Sequence, residues 1–394
     1  MNEVVIVAAA RTPIGKFGGV FKTLNALELT IPLIQALVDR AGIDPSQIDD
    51  VVWGCNYQKT FRENNLARVA AVKAGLPVTV PGITLHRNCT SSMSAIQMAF
   101  YQIKSGEADM VMAGGTDSMS NAQYTMEKVR YGTRIGHTEL RDSMWDSLTE
   151  LGIGPAMGIT AENLADQYRI SRLAQDELAL RSHERALAAM DAGHFKAEIV
   201  SVSVPGKGGT AINVDQDEHP RRDISLRSLE RLKPSFLEQG TVTAGNASGI
   251  NDGSAGVILM SAVKAREMGI PVMAKLLGTA TAGVDPSVMG IGPVPAIHRV
   301  LEKCGLNLES MDLIELNEAF AAQYLACEAE LGLDPLITNV NGSGVSLGHP
   351  VGASGARIVV TLIHEMKRRK SRFGLAALCA GGGMGTALVV EQAD

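Results

Sequence analysis

Two thiols and one imidazole in this chain stand in surroundings suited to acyl chemistry. One thiol lies in Ala377-Leu378-Cys379-Ala380-Gly381-Gly382-Gly383-Met384-Gly385, on the lip of a triple glycine. Residues without side chains leave backbone N–H groups bare beside the sulfur, where they can meet negative charge developing on a substrate oxygen. The other thiol lies in Leu85-His86-Arg87-Asn88-Cys89-Thr90-Ser91-Ser92-Met93-Ser94-Ala95, where an apolar helical pattern begins. A cysteine at a helix N-terminus feels the positive end of the macrodipole and unpaired N–H groups, which lower its pKa from about 8.5 towards neutrality. Cys89 is therefore a candidate nucleophile; the competing assignment is a small buried hydrophobe, the common fate of a free cysteine.

His349 sits in Asn341-Gly342-Ser343-Gly344-Val345-Ser346-Leu347-Gly348-His349-Pro350-Val351-Gly352, where glycines permit tight approach and Pro350 fixes the chain. Such an imidazole suits a general base or an oxyanion donor, and equally a structural histidine in a glycine-rich loop. Asn317, in Asn317-Glu318-Ala319-Phe320, stands where a strand pattern meets a helix pattern. Its amide can orient a water or an oxyanion, or serve as an ordinary N-cap.

The elements that position these residues alternate between strand and helix. The pattern predicts a buried strand over Val4 to Ala10, a helix from Ala26 to Ala41 stopped by Gly42, and a strand over Asp50 to Gly54. A helix from Cys89 to Lys104 and a strand from Ala108 to Ala113, stopped by Gly114-Gly115, follow. Such alternation implies a sheet covered by helices on both faces. Gly42-Ile43-Asp44 through Val51-Val52-Trp53 is echoed by Gly305-Leu306-Asn307 through Ile314-Glu315-Leu316, and Ala108–Gly115 by Leu375–Gly382, which points to a tandem duplication. Between the repeats, roughly Asn121 to Gly249, the rhythm breaks into an inserted subdomain. It holds one long helical pattern from Ser171 to Gly193 and the turn-rich Gly206-Lys207-Gly208-Gly209. Within it Arg221, Arg222, Arg227, Arg231 and Lys233 face only Asp223 and Glu230, a local excess that suits either phosphate docking or a solvated helix face.

Composition narrows the function. A chain of 394 residues with 45% hydrophobic content can bury two or three cores, and its 4% aromatic content disfavours base-stacking platforms. The formal charge of −6 argues against a nucleic-acid binder. The five cysteines are widely spaced with no C-x-x-C, so neither a disulfide framework nor a zinc cluster is expected, and reduced thiols fit a cytoplasmic location. No targeting segment or membrane-length apolar run is legible. Gly342-x-Gly344 and Gly381-Gly382-Gly383-x-Gly385 lack the spacing and context of a dinucleotide fingerprint, and neither a P-loop nor a G-x-S-x-G elbow occurs.

Taken in order, these blocks resemble the thiolase family, most closely its acetyl-CoA acetyltransferase (acetoacetyl-CoA thiolase) members. The resemblance runs from Val7-Ala8-Ala9-Ala10-Arg11-Thr12-Pro13 through the Cys89 segment and Gly240-Thr241-Val242-Thr243-Ala244-Gly245-Asn246-Ala247-Ser248-Gly249 to the Asn317, His349 and Cys379 blocks. It implies an α/β fold of two duplicated βαβαβαββ halves packed face to face, with an inserted loop domain. The corresponding divisions are 1–120 plus 250–271, 121–249, and 272–394. It implies that Cys89 becomes acylated, His349 takes its proton, and Cys379 exchanges a proton with the α-carbon of a second acetyl-CoA. Asn317, through a water, and His349 would form one oxyanion hole, and the backbone N–H groups of Cys89 and Gly381 the other. Coenzyme A would meet Arg221 and Ser228 near its nucleotide, and Leu148, Met157, Phe236, Ala244, Ser248, Ala319 and Phe320 along its pantetheine arm.

The segment Asp117 to Asp142 resembles the family's tetramerisation loop, so a dimer or tetramer is implied, with CoA thioesters as substrates, no separate cofactor and no metal. Ala156-Met157-Gly158 lacks the histidine common before this methionine in short-chain members, and Thr90-Ser91-Ser92-Met93 is closer to some degradative ones. The main expectation is interconversion of two acetyl-CoA with acetoacetyl-CoA. The alternatives are thiolysis of longer 3-ketoacyl-CoA and, remotely, a non-catalytic acyl-CoA carrier.

Overall fold

The first strand, β1 (Val4–Arg11), is buried along its whole length, as its unbroken apolar run requires of a strand covered on both faces. The computed structural model describes residues 2–57, 63–149, 151–206, 208 and 210–393. Around β1 a mixed sheet is built from β2 (Asp50–Gly54), β3 (Gly82–Leu85), β4 (Met110–Ser118), β5 (Asn251–Ser261), β6 (Ala274–Gly283), β7 (Leu313–Leu316), β8 (Phe373–Ala380) and β9 (Met384–Gln392). In the first half the order is β3-β2-β4-β5-β1; β2 runs parallel to β3 and β4, while β5 runs antiparallel to β4 and β1.

The second half repeats this order and these senses. β7 is parallel to β8, β9 is antiparallel to β8 and β6, and a parallel bridge from Ile314 to Thr338 stands where β3 stands in the first half. The sequence echo is therefore a structural repeat. The two half-sheets meet where β1 and β6 pair antiparallel at Val5↔Lys275 and Ile6↔Ala274.

Helices α1 (Ala26–Ala41), α2 (Leu66–Lys73) and α3 (Ser91–Ser105) belong to the first half. A reciprocal Asn25/Glu28 capping box starts α1, and Gly42 in the left-handed region stops it, as the sequence predicts. Helices α4 (Met157–Gln167) and α5 (Arg172–Asp191, capped by Ser171) lie in the excursion between β4 and β5. That excursion leaves the sheet and returns to it at one place, because Ser118 pairs with Asp252. Lys207 and Gly209 of the expected turn lie outside the described residues. Helices α6 (Pro293–Cys304), α7 (Ala321–Leu331) and α8 (Ser354–Arg369) serve the second half. None of the helices among the described residues is long and apolar enough to cross a membrane.

Helices α3 and α8 lie back to back between the half-sheets. Met93, Ile96, Phe100 and Ile103 of α3 share one core with Ile358, Val359, Leu362 and Met366 of α8, together with strands of both halves. Each such buried side chain contributes about 1.5–3 kcal/mol. The helices meet most closely at their first turns: a Cβ on Gly355 would lie 2.7 Å from Met93 Cβ, and Ala356 N–H donates to Ser92 Oγ at 2.9 Å.

Two expected boundaries move. The Cys89 helix begins at Ser91, with Thr90 as its N-cap, so Cys89 sits in the preceding turn. β4 continues through Gly114-Gly115 instead of stopping there. These glycines answer to close packing across the sheet face: a Cβ on Gly115 would lie 2.1 Å from the Gly352 carbonyl oxygen, in the loop that carries His349. Gly115→Ala is expected to lower stability by about 1–3 kcal/mol, read as a lower urea midpoint; an unchanged midpoint would contradict this contact.

Candidate active site

Cys89 is partly buried in a turn held by Ser91, whose backbone N–H donates to Asn88 O at 3.0 Å and whose Oγ accepts from Arg87 N–H at 2.8 Å. Burial pushes the thiol up to about 11, against the pull of the Gly381 backbone N–H and of its own, both directed at the sulfur. The helix-dipole reading of a lowered pKa is thus corrected. The thiol lies outside the helix, and loss of hydration outweighs the donors that reach it.

Cys379 lies near the end of β8 and is fully buried against Met289 and Ala319, with Met157 and Phe320 closing over it. Burial raises its pKa well above the ordinary thiol value, and the neighbouring Cys89 sulfur raises it further. The hairpin to β9 turns through Gly382 and Gly383, both at φ above +80°, a region that a side chain would strain. Val284 N–H donates to Gly383 O at 2.8 Å, and Asn88 Nδ2 donates to Gly381 O at 2.7 Å. The two thiols therefore come from opposite halves and share one environment.

His349 is buried ahead of α8. Its N–H donates to Asn251 Oδ1 at 2.9 Å, while Asn251 Nδ2 donates to Gly15 O at 2.9 Å. Nδ1 lies 2.6 Å from Ser354 Oγ, whose own hydroxyl donates to Pro350 O at 2.9 Å. A hydroxyl has one proton, so this arrangement assigns the imidazole proton to Nδ1 and leaves Nε2 as a bare acceptor. Nε2 is buried without a hydrogen-bond partner among the described residues, as is Asn317 Oδ1, and the two residues approach at 3.4 Å between Asn317 Nδ2 and His349 Nδ1. Two open acceptors side by side are what a donor, such as a water or a thiol proton, would complete. Burial, followed by the Arg357 charge, lowers the His349 pKa to about 4, so the ring is neutral at physiological pH.

A pocket of about 240 Å³ opens onto Cys89 and Gly381, walled by Leu148, Leu151, Met157 and Val351 and edged by Asn56, Tyr57 and His86. Of the expected CoA contacts, Leu148 and Met157 line it. Phe320 packs beside Met157, and Phe236 meets Phe320 edge-on with ring centres 6.2 Å apart. Ser248 N–H donates to Ala319 O at 2.9 Å, which ties this strip together. Ala244 and Arg221 are exposed, and Arg221 N–H donates to His183 Nδ1 at 3.1 Å. Ser228 is also exposed, in a capping box with Ser225. Neither Arg221 nor Ser228 borders the Cys89 pocket.

Sequence reasoning missed Asn88, Asn251 and Ser354. The signals were weak: a polar residue beside the thiol, an Asn-Asp pair opening a strand, and a serine five residues beyond the histidine. Among the described residues no cluster of three or more His, Cys, Asp or Glu side chains is placed to hold a metal ion.

Duplicated α/β halves that bring two thiols together, Cys89 at the pocket and Cys379 buried near it, fit an acyltransferase. Residues 4–263 match the family model of the thiolase N-terminal domain and residues 270–392 that of the thiolase C-terminal domain, and the chain belongs to the thiolase family. It is 48% identical over 397 residues to the acetyl-CoA acetyltransferase of Pseudomonas aeruginosa, with 100% of both chains covered. The acetyl-CoA acetyltransferase structure from Bacillus anthracis superposes with a TM-score of 0.97 at 50% identity, covering 100% of this chain and 99% of that one. Human mitochondrial 3-ketoacyl-CoA thiolase in complex with CoA does so at 0.96 and 41% identity, covering 100% of this chain and 98% of that one.

A thiol held near 11 is mostly protonated at neutral pH, and its thiolate fraction grows about tenfold per pH unit below that value. Iodoacetamide labelling of Cys89, followed by mass spectrometry, is therefore expected to accelerate steadily from about pH 7 to pH 10. A plateau by about pH 8 would show a lowered pKa, and one by about pH 9.5 a thiol of ordinary pKa.

Proposed function

We propose that this chain interconverts two acetyl-CoA with acetoacetyl-CoA and CoA. The observation that carries the reading is the pairing of Cys89 and Cys379 from opposite halves, with the Gly381 N–H directed at the Cys89 sulfur. Cys89 Sγ attacks the thioester carbonyl, and the carbon–sulfur bond to CoA breaks as the acyl-enzyme forms. His349 Nε2 takes the Cys89 proton and passes it to the departing CoA sulfur. Burial holds the thiol high and the imidazole low, so proton transfer accompanies the attack instead of preceding it.

In the second half-reaction Cys379 gives its proton to His349 Nε2 and, as thiolate, removes an α-proton from acetyl-CoA. The enolate carbon then attacks the acyl carbonyl, releasing Cys89 as thiolate, which takes the proton held at His349 Nε2 and leaves both cysteines as thiols. Asn317, through a water, and the protonated His349 Nε2 stabilise the enolate oxygen; the N–H groups of Cys89 and Gly381 stabilise the tetrahedral oxyanion. Such preorganised donors in a dry site are each worth about 10²–10³ in rate.

In this reading Arg221 and Ser228 meet the nucleotide end of CoA, and the Phe236–Phe320–Met157 strip guides pantetheine, joined by Leu148, Ala244, Ser248 and Ala319. The excursion between β4 and β5, 121–249, forms the inserted domain between an N-terminal half of 1–120 plus 250–271 and a C-terminal half of 272–394. The enzyme is a cytoplasmic dimer or tetramer. The crowding of Leu148, Leu151, Met157 and Val351 around the nucleophile supports a short acyl group. Longer 3-ketoacyl-CoA is the second reading, supported by the likeness to the human mitochondrial 3-ketoacyl-CoA thiolase.

Thiolysis of acetoacetyl-CoA is expected to exceed that of a 3-keto-C8 substrate in kcat/KM; the reverse order would assign the chain to longer substrates. Incubation with acetyl-CoA is expected to add one acetyl group at Cys89, absent in Cys89→Ser. Cys379→Ala is expected to acylate normally while condensation falls by at least about 10³-fold. Retained turnover in that variant would remove Cys379 from proton transfer.

A further inference from the structure

Asn88 is used neither by the motif reading nor by the mechanism above. Its backbone lies in the left-handed region, at φ 47°, which a side-chain-bearing residue adopts under strain and asparagine tolerates best. The side chain reaches across 293 positions of sequence, from the first half to the second, and donates Nδ2 to the Gly381 carbonyl at 2.7 Å. Its neighbour Cys89 carries the sulfur at which Gly381 N–H is directed. One side chain thus joins the turn that bears the nucleophile to the turn that bears its donor.

The triple-glycine turn needs such a tether. Gly382 and Gly383 have no side chains to pack, and their backbone is permissive. Within the second half the turn is held by Val284 N–H at Gly383 O. On its other flank, Leu151 and Met157 lie where a Gly381 Cβ would be, 2.9 and 3.0 Å away, so they limit its position without directing its N–H. Direction comes from a hydrogen bond, and Asn88 supplies one.

We propose that Asn88 is a positioning residue, whose amide anchors Gly381 by its carbonyl and so fixes how the adjoining Ala380–Gly381 peptide aims its N–H at the Cys89 sulfur, and with it the separation of the two thiols. This rests on the reading of Cys89 as nucleophile. Because Nδ2 acts as donor to a carbonyl, an acceptor at its place repels that carbonyl. Glycine keeps the left-handed backbone and loses only the donor.

The test compares the full-length protein with Asn88→Leu, Asn88→Gly and Asn88→Gln. Two readouts are used: iodoacetamide labelling of Cys89 across pH, and acetoacetyl-CoA thiolysis. Leucine and glycine are both expected to slow labelling at pH 8 by about tenfold and to lower kcat by roughly 10- to 100-fold with KM within about twofold. Glutamine, which retains the amide, is expected to recover part of both. Asn88→Gly should keep the wild-type melting temperature, which separates lost positioning from lost folding. Wild-type labelling and kcat in Asn88→Gly would overturn the proposal by assigning the residue's role to its backbone alone. Slowed labelling in the variants, alongside a wild-type protein that performs no thiolysis, would uphold the positioning of Gly381 and overturn the proposed function instead.

Discussion

Everything at the site depends on how closely two helices approach at their first turns. Gly355 of α8 admits Met93 of α3 into the space a side chain would fill, and Ala356 N–H closes on Ser92 Oγ. Cys89 lies two residues before α3 and His349 five before α8, so this contact sets both lead-ins. A second tie lies beside it. Asp117 accepts from Gly352 N–H at 2.6 Å and from the N–H groups of Asn56 and Tyr57, joining the His349 loop to the wall of the Cys89 pocket. An interior packed this tightly transmits displacement, so a methyl group at either point moves Cys89 and His349 along with the fold.

Because the site is built between two halves, it is largely buried, and burial explains its electrostatics. Both thiols are raised and the imidazole lowered, burial being the largest cause in each case, so the resting site carries little charge. The Gly381 N–H directed at the Cys89 sulfur acts in these buried surroundings, where low polarity strengthens it. Deeper in the molecule, charge is retained only where it is matched. Arg11 bonds Glu198 at 2.6 Å and Asp217 at 2.7 Å beneath the inserted segment. Removing one member of such a set typically costs about 3–5 kcal/mol, because the partners are left buried and uncompensated. That ion cluster clamps the inserted segment to β1, and with it the strip leading to the pocket.

The duplication gives this arrangement its economy. Equivalent turns in the two halves precede equivalent helices, and those helices face each other across the shared core. Cys89 and His349 thus enter from symmetric positions, while Cys379 enters from the tip of a β-hairpin. The β1–β6 pairing holds the half-sheets at one seam, so relative movement of the halves would have to break core contacts of α3 with α8 as well as sheet hydrogen bonds.

The sequence by itself determined the local elements, the repeat, and the residue types at the site. The spans Ala26–Ala41 and Asp50–Gly54 follow from periodicity and turn chemistry that act within a few residues, and the thiols and histidine announce themselves by their glycine-rich surroundings. What only the tertiary structure decided depends on residues far apart in the chain. Cys89 lost its helix position and gained a raised pKa because burial is a property of the assembled core. Gly114 and Gly115 stay inside a strand because the Gly352 loop and Trp53 press against them, and no local pattern records that pressure. Ser354 and Asn251 became partners of His349, and Asn88 of Gly381, through hydrogen bonds whose geometry exists once both halves are packed. Short-range preferences are written along the chain, whereas desolvation and orientation are set by whatever the fold brings alongside.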